Sequence, residues 1–298
     1  MVSVIIPSYN SEKTIERCLD SLTDQTYRDN YELILVDSSN DGTPHIVMND
    51  YKDQVSLIHL DQKTDPGTAR NIGLDAAKGD LIAFIDSDCT AARDWLERIT
   101  EAHDSSYRVV GGAVRNGNDR DDLVARAGYL AEFREFLPEM QRREVMHIPT
   151  CNISYKKGVF LQFGRFQGKY YPQEDLVYNY HLWKAGEKIL LDPRIQIYHT
   201  HRSGLKDFLN HQNRIGTVTS RVLKELPLQG SFIAKRPLLA VILWPFLLAV
   251  KYAKTVSVFL RYQPDTIREQ VSVLPLLLLG LMFWAFGFVR GACKEGSL

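Results

Sequence analysis

Two pairs of acidic residues carry the chemical possibilities of this sequence. Asp86 and Asp88 flank Ser87 at the end of the apolar run Leu81-Ile82-Ala83-Phe84-Ile85, and Glu174 and Asp175 stand side by side after Pro172-Gln173. Alternate side chains of an extended chain share a face, so Asp86 and Asp88 would present two hard oxygen ligands together, a set suited to Mg²⁺ or Mn²⁺ on a diphosphate. An isolated Asp-x-Asp is equally compatible with an acid-rich turn that closes a strand, and its surroundings must decide. The second pair precedes a helically periodic stretch, residues 176–185, that ends at Gly186. Glu174 and Asp175 are therefore expected at a helix N-terminus, where the macrodipole favours their ionised forms.

The elements needed to position these acids are legible in the first 90 residues. Val2-Ser3-Val4-Ile5-Ile6-Pro7, Tyr31-Glu32-Leu33-Ile34-Leu35-Val36-Asp37, Val55-Ser56-Leu57-Ile58-His59-Leu60 and the run before Asp86 read as strands. Helically spaced segments separate them: residues 11–22, a stretch entered through Ser38-Ser39-Asn40-Asp41-Gly42-Thr43, and residues 67–77. Strands and helices alternating in this way imply right-handed βαβ crossovers and an α/β fold with a mostly parallel sheet. The ligand crevice of such a sheet lies at the strand C-termini, where Pro7, Asp37 and Asp86 fall. Further on, a helix is expected at 95–99, strands at 109–114 and 149–157, helical spacing at 123–136, two short strands at 189–191 and 195–199, and a long helix at 205–222.

From Pro237 the composition changes. Residues 237–250 are wholly apolar, with Lys251 and Lys254 interrupting before 255–260, and residues 271–289 hold no charge over nineteen positions. That length meets the threshold of about 18 apolar residues for a membrane-spanning helix. Lys235 and Arg236 before the first segment, with Arg290 and Lys294 after the second, suit a hairpin with both ends cytoplasmic. Arg261 and Arg268 between the segments weaken that assignment, and the first segment is also compatible with an interfacial position. The boundary between a domain of residues 1–225 and a membrane-associated helical region of residues 226–298, with candidate segments 237–260 and 271–289, follows from this shift. The 36 basic and 36 acidic side chains balance, so no nucleic-acid partner is implied. Four widely spaced cysteines (Cys18, Cys89, Cys151, Cys293) form no ligand or redox pair in sequence and are expected to be reduced and incidental. With Met1 to Pro7 reading as a strand, no signal peptide is expected.

Taken together, the blocks Val4-Ile5-Ile6-Pro7-Ser8-Tyr9-Asn10, Leu35-Val36-Asp37-Ser38-Ser39-Asn40-Asp41-Gly42-Thr43, Gly67-Thr68-Ala69-Arg70-Asn71-Ile72-Gly73, Phe84-Ile85-Asp86-Ser87-Asp88 and Gln173-Glu174-Asp175 resemble the successive motifs of family 2 glycosyltransferases. The resemblance implies a GT-A fold, Rossmann-like, over roughly residues 2–221. It implies that Pro7, Tyr9 and Asp37 line a nucleoside pocket, that Arg70 approaches the nucleotide or its phosphates, and that Asp86 serves the ribose. Asp88 would ligate a divalent ion, Mn²⁺ or Mg²⁺, bridging the two phosphates. Asp175 would be the general base; Glu174 is adjacent and able to exchange roles with it. His199-Thr200-His201 resembles the histidine that completes the metal site in many members, leaving open which of the two serves, if either does. The segment His211-Gln212-Asn213-Arg214-Ile215-Gly216 resembles the Gln-x-x-Arg-x-Gly block of membrane-associated exopolysaccharide enzymes, with Arg214 steadying the diphosphate. Ile215 stands where processive synthases carry Trp, which favours transfer of single sugars.

The expectation is therefore an inverting transferase acting at the cytoplasmic face of the cell membrane. Its donor would be a nucleotide sugar and its acceptor a lipid-linked saccharide or polyprenyl phosphate. A soluble saccharide acceptor and a catalytically silent nucleotide-sugar-binding scaffold remain alternatives. A nucleotidyltransferase would need a glycine-rich phosphate loop after the first strand, and Pro7-Ser8-Tyr9-Asn10 is not one.

Overall fold

β-branched runs bounded by polar turns form the parallel strands their spacing predicts. In the computed structural model, which describes residues 1–294, β1 (Val2–Ser8), β2 (Tyr31–Asp37), β3 (Val55–His59) and β4 (Leu81–Phe84) pair in parallel in the order β3-β2-β1-β4. Helices α1 (Ile15–Thr23), α2 (Thr43–Asp50) and α3 (Pro66–Ala76) connect them. Every residue of β1 is buried, as expected of a strand covered on both faces. Ser8 pairs with Asp37, and Asp37 with His59, so the strand C-termini share one edge.

Beyond β4 the sheet becomes mixed. The chain continues through β5 (Cys89–Ala91), α4 (Trp95–His103), β6 (Val109–Asn116), α5 (Leu123–Phe133), β7 (Arg143–Val145), β8 (Ile153–Lys156), α6 (Gly158–Phe163), α7 (Glu174–Lys184) and β9 (Ile189–His199). β8 runs antiparallel between β4 and β6, β6 runs parallel to β9, and β5 and β7 pair antiparallel with β9. The two short strands expected at 189–191 and 195–199 are one strand with a bulge. Gly111 pairs with Leu191 but Ala113 with Gln196, and Pro193, which has no N–H to donate, sits inside the shift. Asn152, fully buried, repairs the interrupted ladder: its Nδ2 donates to the carbonyls of Ala113 (2.8 Å) and Ile195 (3.0 Å), while its Oδ1 accepts from Trp95 Nε1 (2.8 Å). A Cβ on Gly112 would collide with the Ile195 carbonyl, so only glycine fits there.

Packing divides the chain into two units. One holds Met1–Gly117 with Met140–Thr200, the other Asn118–Glu139 with the chain from His201 onward. The second contains α5, α8 (Leu205–Glu225), α9 (Ser231–Ala234), α10 (Pro237–Tyr262), α11 (Asp265–Arg268) and α12 (Val273–Cys293). The sequence places the division at 225/226, whereas α8 and residues 118–139 pack with the C-terminal helices. Backbone contact explains the difference. A Cβ on Gly216 of α8 would meet the Trp284 carbonyl, and one on Gly287 or Gly291 of α12 would meet the carbonyl of Asn213 or Thr217. The candidate segments 237–260 and 271–289 are the helices α10 and α12, both long and apolar enough to cross a membrane. The last four positions of the region that the sequence reading carried to 298 lie outside the described residues.

Candidate active site

The loops that follow β1 and β2 are laced together at the C-terminal edge of the sheet. Asn10 adopts φ 53°, a left-handed conformation that Asn tolerates, and its N–H donates to Ser39 Oγ at 2.7 Å. Asn40 N–H returns a bond to Asn10 Oδ1 (3.1 Å), and Ser38 N–H donates to the Ser8 carbonyl (3.0 Å). Within this frame Asp37 is fully buried. Its carboxylate accepts from Ser39 N–H (3.1 Å) and Ser39 Oγ (2.5 Å) and lies 2.9 Å from His59 Nδ1, so neither oxygen is left without a partner. Pro7 is buried opposite Val36, while Tyr9 is exposed with Lys63 Nζ 3.8 Å from its ring centroid.

One buried guanidinium joins the tip of β4 to the start of α7. Asp65 caps α3, accepting from Thr68 N–H at 3.0 Å with Pro66 at the first helical position. Arg70, one turn further and only 3% exposed, donates through Nη2 to Asp86 Oδ1 (2.7 Å) and through Nη1 to Glu174 Oε1 (2.8 Å). Close approach of α3 to α7 depends on Gly67, where a Cβ would stand 3.0 Å from Glu174 Cγ. Burial opposes the charge of Arg70, and Asp86, Glu174 and Asp175 more than offset it, so the guanidinium stays protonated. Burial raises the pKa of Asp86, Arg70 opposing, and raises that of Glu174 to about 7, with Arg70 opposing and Asp175 and Asp86 adding to the rise. Glu174 is 4% exposed and its Oε2 has no hydrogen-bond partner among the described residues.

Asp175 is half-buried and held differently. Its Oδ2 accepts from Thr150 N–H (3.1 Å) and lies 3.4 Å from Thr150 Oγ1, while Oδ1 accepts from Leu176 N–H (2.7 Å). These donors fix the direction of the carboxylate. Asp86 and Glu174 thus share one side chain, and their sequence neighbours Asp88 and Asp175 are carried on the same two elements.

Antiparallel pairing of β5 with β9 brings Asp88 to a histidine. Cys89 pairs with His199, and Thr200 N–H donates to the Asp88 carbonyl at 2.8 Å. Asp88 Oδ1 lies 3.6 Å from His199 Nε2, and the ligand atoms of Asp88, Cys89 and His199 all fall within 4.8 Å of one another. The Asp88 carboxylate fits Mn²⁺ or Mg²⁺, and the His199 imidazole, a softer donor, suits a transition ion such as Mn²⁺ better than Mg²⁺. Cys89 fits less well: burial and its bond to Cys151 push its thiol well above the usual range, so it stays a neutral donor 3.6 Å from Asp88 Oδ1. Of the two histidines that the sequence left open, His199 stands beside Asp88. His201 belongs to the second unit, where its ring lies edge-on to Tyr129 and Phe133 and its N–H donates to Asn118 Oδ1 (2.6 Å).

Arg214 is exposed on α8 of the second unit. Aligning Arg214 and Gly216 with the Gln-x-x-Arg-x-Gly block puts His211, not Gln212, at its first position. Gln212 is buried and donates to Glu132 Oε1 at 2.8 Å. Three site residues escaped the sequence reading. His59 was recoverable, because parallel register sets it opposite Asp37. Thr150 reaches Asp175 across 25 residues and carries no local signal, whereas Cys89 directly follows Asp88 and meets His199 only through the pairing of β5 with β9.

Comparison with known proteins agrees with this construction. The family model described as Glycosyl transferase family 2 matches residues 3–164, more than half of the chain. Glycosyltransferase AglE of Haloferax volcanii is 32% identical over 174 residues, which are 55% of this chain and 55% of AglE. Succinoglycan biosynthesis protein ExoO of Rhizobium meliloti is 38% identical over 163 residues, 53% of this chain and 47% of ExoO. The chain thus spans about half the length of these curated relatives. The crystal structure of S. aureus TarS in complex with UDP-GlcNAc superposes with a TM-score of 0.56 at 20% identity, covering 93% of this chain and 89% of that one, a likeness of fold. A GT-A-like sheet, acids delivered to one edge of it and a family model over residues 3–164 lead to one conclusion: the chain belongs to glycosyltransferase family 2.

Proposed function

We propose that this glycosyltransferase moves single sugars, with inversion, from a nucleotide-diphosphate donor to a membrane-presented acceptor, a lipid-linked saccharide or polyprenyl phosphate, in cell-surface polysaccharide or glycolipid synthesis at the cytoplasmic face. The observation that carries this reading is the bridge from Asp86 through Arg70 to Glu174, because it ties the strand tip two residues before Asp88 to the helix start next to Asp175. Asp37, with Pro7 and Tyr9, receives the nucleobase, and Asp86 the ribose. A nucleotide-sugar donor is supported by the TarS complex with UDP-GlcNAc. Asp88 and His199 would hold the divalent ion, which when bound neutralises charge on the leaving diphosphate.

With a saccharide acceptor, Asp175 takes the proton of the acceptor hydroxyl while that oxygen forms its bond to C1; the oxygen of a polyprenyl phosphate is already anionic and needs no base. The C1–O bond to the diphosphate breaks on the opposite face, its electron pair leaving with the phosphate. Asp175 suits this role better than Glu174. It is partly open and oriented by Thr150, whereas Glu174 is buried and committed to Arg70. Arg70 then acts through the two acids it joins.

A screen of UDP- and GDP-sugars with Mn²⁺, read by thermal shift and by transfer of labelled sugar to extracted membrane lipid, tests the reading. Expected is one donor that raises the melting temperature and labels the lipid, with Asp175→Asn keeping the shift and losing transfer. A shift with no transfer by the wild type, to lipid or to soluble saccharide, would make the protein a silent binder.

A further inference from the structure

The apolar helices α10 and α12 have the length to form a spanning hairpin, yet their contacts within the second unit are those of a module lying on one side of a membrane. A stripe along α10, made by Leu238, Val241, Ile242, Phe246, Val250 and Leu260, is exposed at helical spacing, Leu238 at 72% and Phe246 at 63%. The opposite face of the same helix is covered by protein: Ala240, Trp244, Leu247 and Leu248 pack in the apolar cluster around Trp284, Ala285 and Phe288, Lys251 Nζ lies 4.3 Å from the Trp284 ring centroid, and Thr255 Oγ1 accepts from Arg134 Nη1 at 3.4 Å.

α12 is not free to cross alone. Gly216, Gly287 and Gly291 bring its backbone against α8, and Asn213 Nδ2 donates to the Phe283 carbonyl at 3.0 Å. α8 carries Lys206, Asp207, His211, Arg214, Arg221 and Lys224. A helix so charged is excluded from hydrocarbon, so a crossing α12 would have to shed its main partner. The ends of α12 are held as well. In the link 263–272, Glu269 pairs with Arg120, Gln270 Nε2 donates to Asp121 Oδ1 (3.0 Å), and Gln263 accepts from Tyr129 OH (3.1 Å). After the helix, the Lys294 carbonyl accepts from Lys224 Nζ (2.8 Å). A spanning hairpin would carry that link across the bilayer and break its bonds to residues 120–129.

We propose that the chain binds one leaflet of an anionic bilayer in plane. The outer stripe of α10 dips into the acyl region, α12 serves as the protein-side support, and Lys235 and Arg236 meet headgroup phosphates. At the far end of the helix Arg120, Arg261 and Arg268 are offset by Asp121, Asp265 and Glu269, so the anionic-lipid preference comes from the first end. This deepens the membrane-presented acceptor of the proposed function and rests on that reading for location alone.

Labelling of single thiols in the full-length chain tests it. With the exposed Cys293 changed to Ser, Gln229→Cys and Ser272→Cys place thiols before α10 and after it. In inside-out vesicles of the expressing bacterium's inner membrane, a membrane-impermeant maleimide is expected to label both sites equally with and without detergent. Labelling of Ser272→Cys only after detergent would overturn the in-plane arrangement. Recovery of the chain in the supernatant would overturn any bilayer attachment. In flotation with phosphatidylglycerol vesicles, Phe246→Glu should weaken binding by about tenfold or more, as loss of a buried aromatic implies, at unchanged melting temperature. Vesicles of phosphatidylcholine alone should bind less, and equal binding to both would remove the anionic headgroup from the proposal. Nucleotide-sugar hydrolysis by the same variants in detergent reports the chemistry separately, so a failed topology with intact hydrolysis leaves the transferase reading standing.

Discussion

Arg70 holds two carboxylates that burial would otherwise drive towards their neutral forms, and its loss would strand both. Removing one partner of a buried, hydrogen-bonded ion pair costs about 3–5 kcal/mol, so Arg70→Ala should lower unfolding free energy in urea by that order. Arg70→Lys should fall between, because an ammonium cannot reproduce the two-pronged geometry. Asp175→Asn should leave stability and donor KM nearly unchanged and reduce kcat by about 10²- to 10⁴-fold in steady-state kinetics, the usual contribution of a positioned base. Glu174 yields a pH prediction. Its folded pKa is raised to about 7, above the ordinary carboxyl value, so the native state holds the proton more tightly than the unfolded chain. Its stabilising contribution is complete below the unfolded pKa and is lost as pH rises through the folded one. Wild-type unfolding free energy should therefore decline between about pH 4.5 and 7 relative to Glu174→Gln, and parallel curves for the two proteins would refute the shift. At this scale the sequence showed the acids and their order. It placed Arg70 on the nucleotide; its partners became visible only when α3, β4 and α7 were brought together.

Elements built from local pattern were legible, and those built from distant contact were not. β1, β2 and β4 declare themselves because a strand buried on both faces reads as a continuous apolar run, and β3, half exposed at the edge of the sheet, by its apolar residues at 55, 57 and 58. β9 read as two pieces because Pro193 interrupts the pattern, while the compensating groups, Asn152 and Gly112, lie elsewhere in the chain. The pairing of β5 with β9 sets His199 beside Asp88 across more than 100 residues, a relation that spacing does not contain. Helix α8 shows the opposite relation. The motif-like residues Gln212 and Gly216 are accounted for by packing, one bonded to Glu132 and the other in backbone contact with α12. Gly216→Leu should therefore force α8 from α12 and destabilise the chain by about 1–3 kcal/mol, the range for overpacking. Hydrolysis of donor by the folded fraction should persist. Selective loss of hydrolysis at unchanged urea midpoint would instead give Gly216 a role in the chemistry.

Ligand linkage acts on the whole molecule, because a nucleotide sugar that binds only the native chain stabilises it by RT ln(1 + [L]/Kd). At a hundredfold excess over Kd this is about 2.7 kcal/mol, readily seen as a shift in melting temperature. The proposed binding groups other than Arg214 lie within the unit made of residues 1–117 and 140–200, so the size of the shift reports on that unit whatever the apolar helices α10 and α12 do. Two substitutions divide the effect. Asp37→Ala removes the carboxylate that Ser39 and His59 hold at the edge of the sheet and should abolish the donor-induced shift with or without Mn²⁺. His199→Gln should leave the metal-free shift in place and remove the increment that Mn²⁺ adds, because Asp88 then loses its nitrogen partner. A full Mn²⁺ increment in His199→Gln would move the ion away from the β5–β9 junction. Loss of both shifts, with a melting temperature already lowered in the absence of ligand, would make His199 a packing residue of that junction instead.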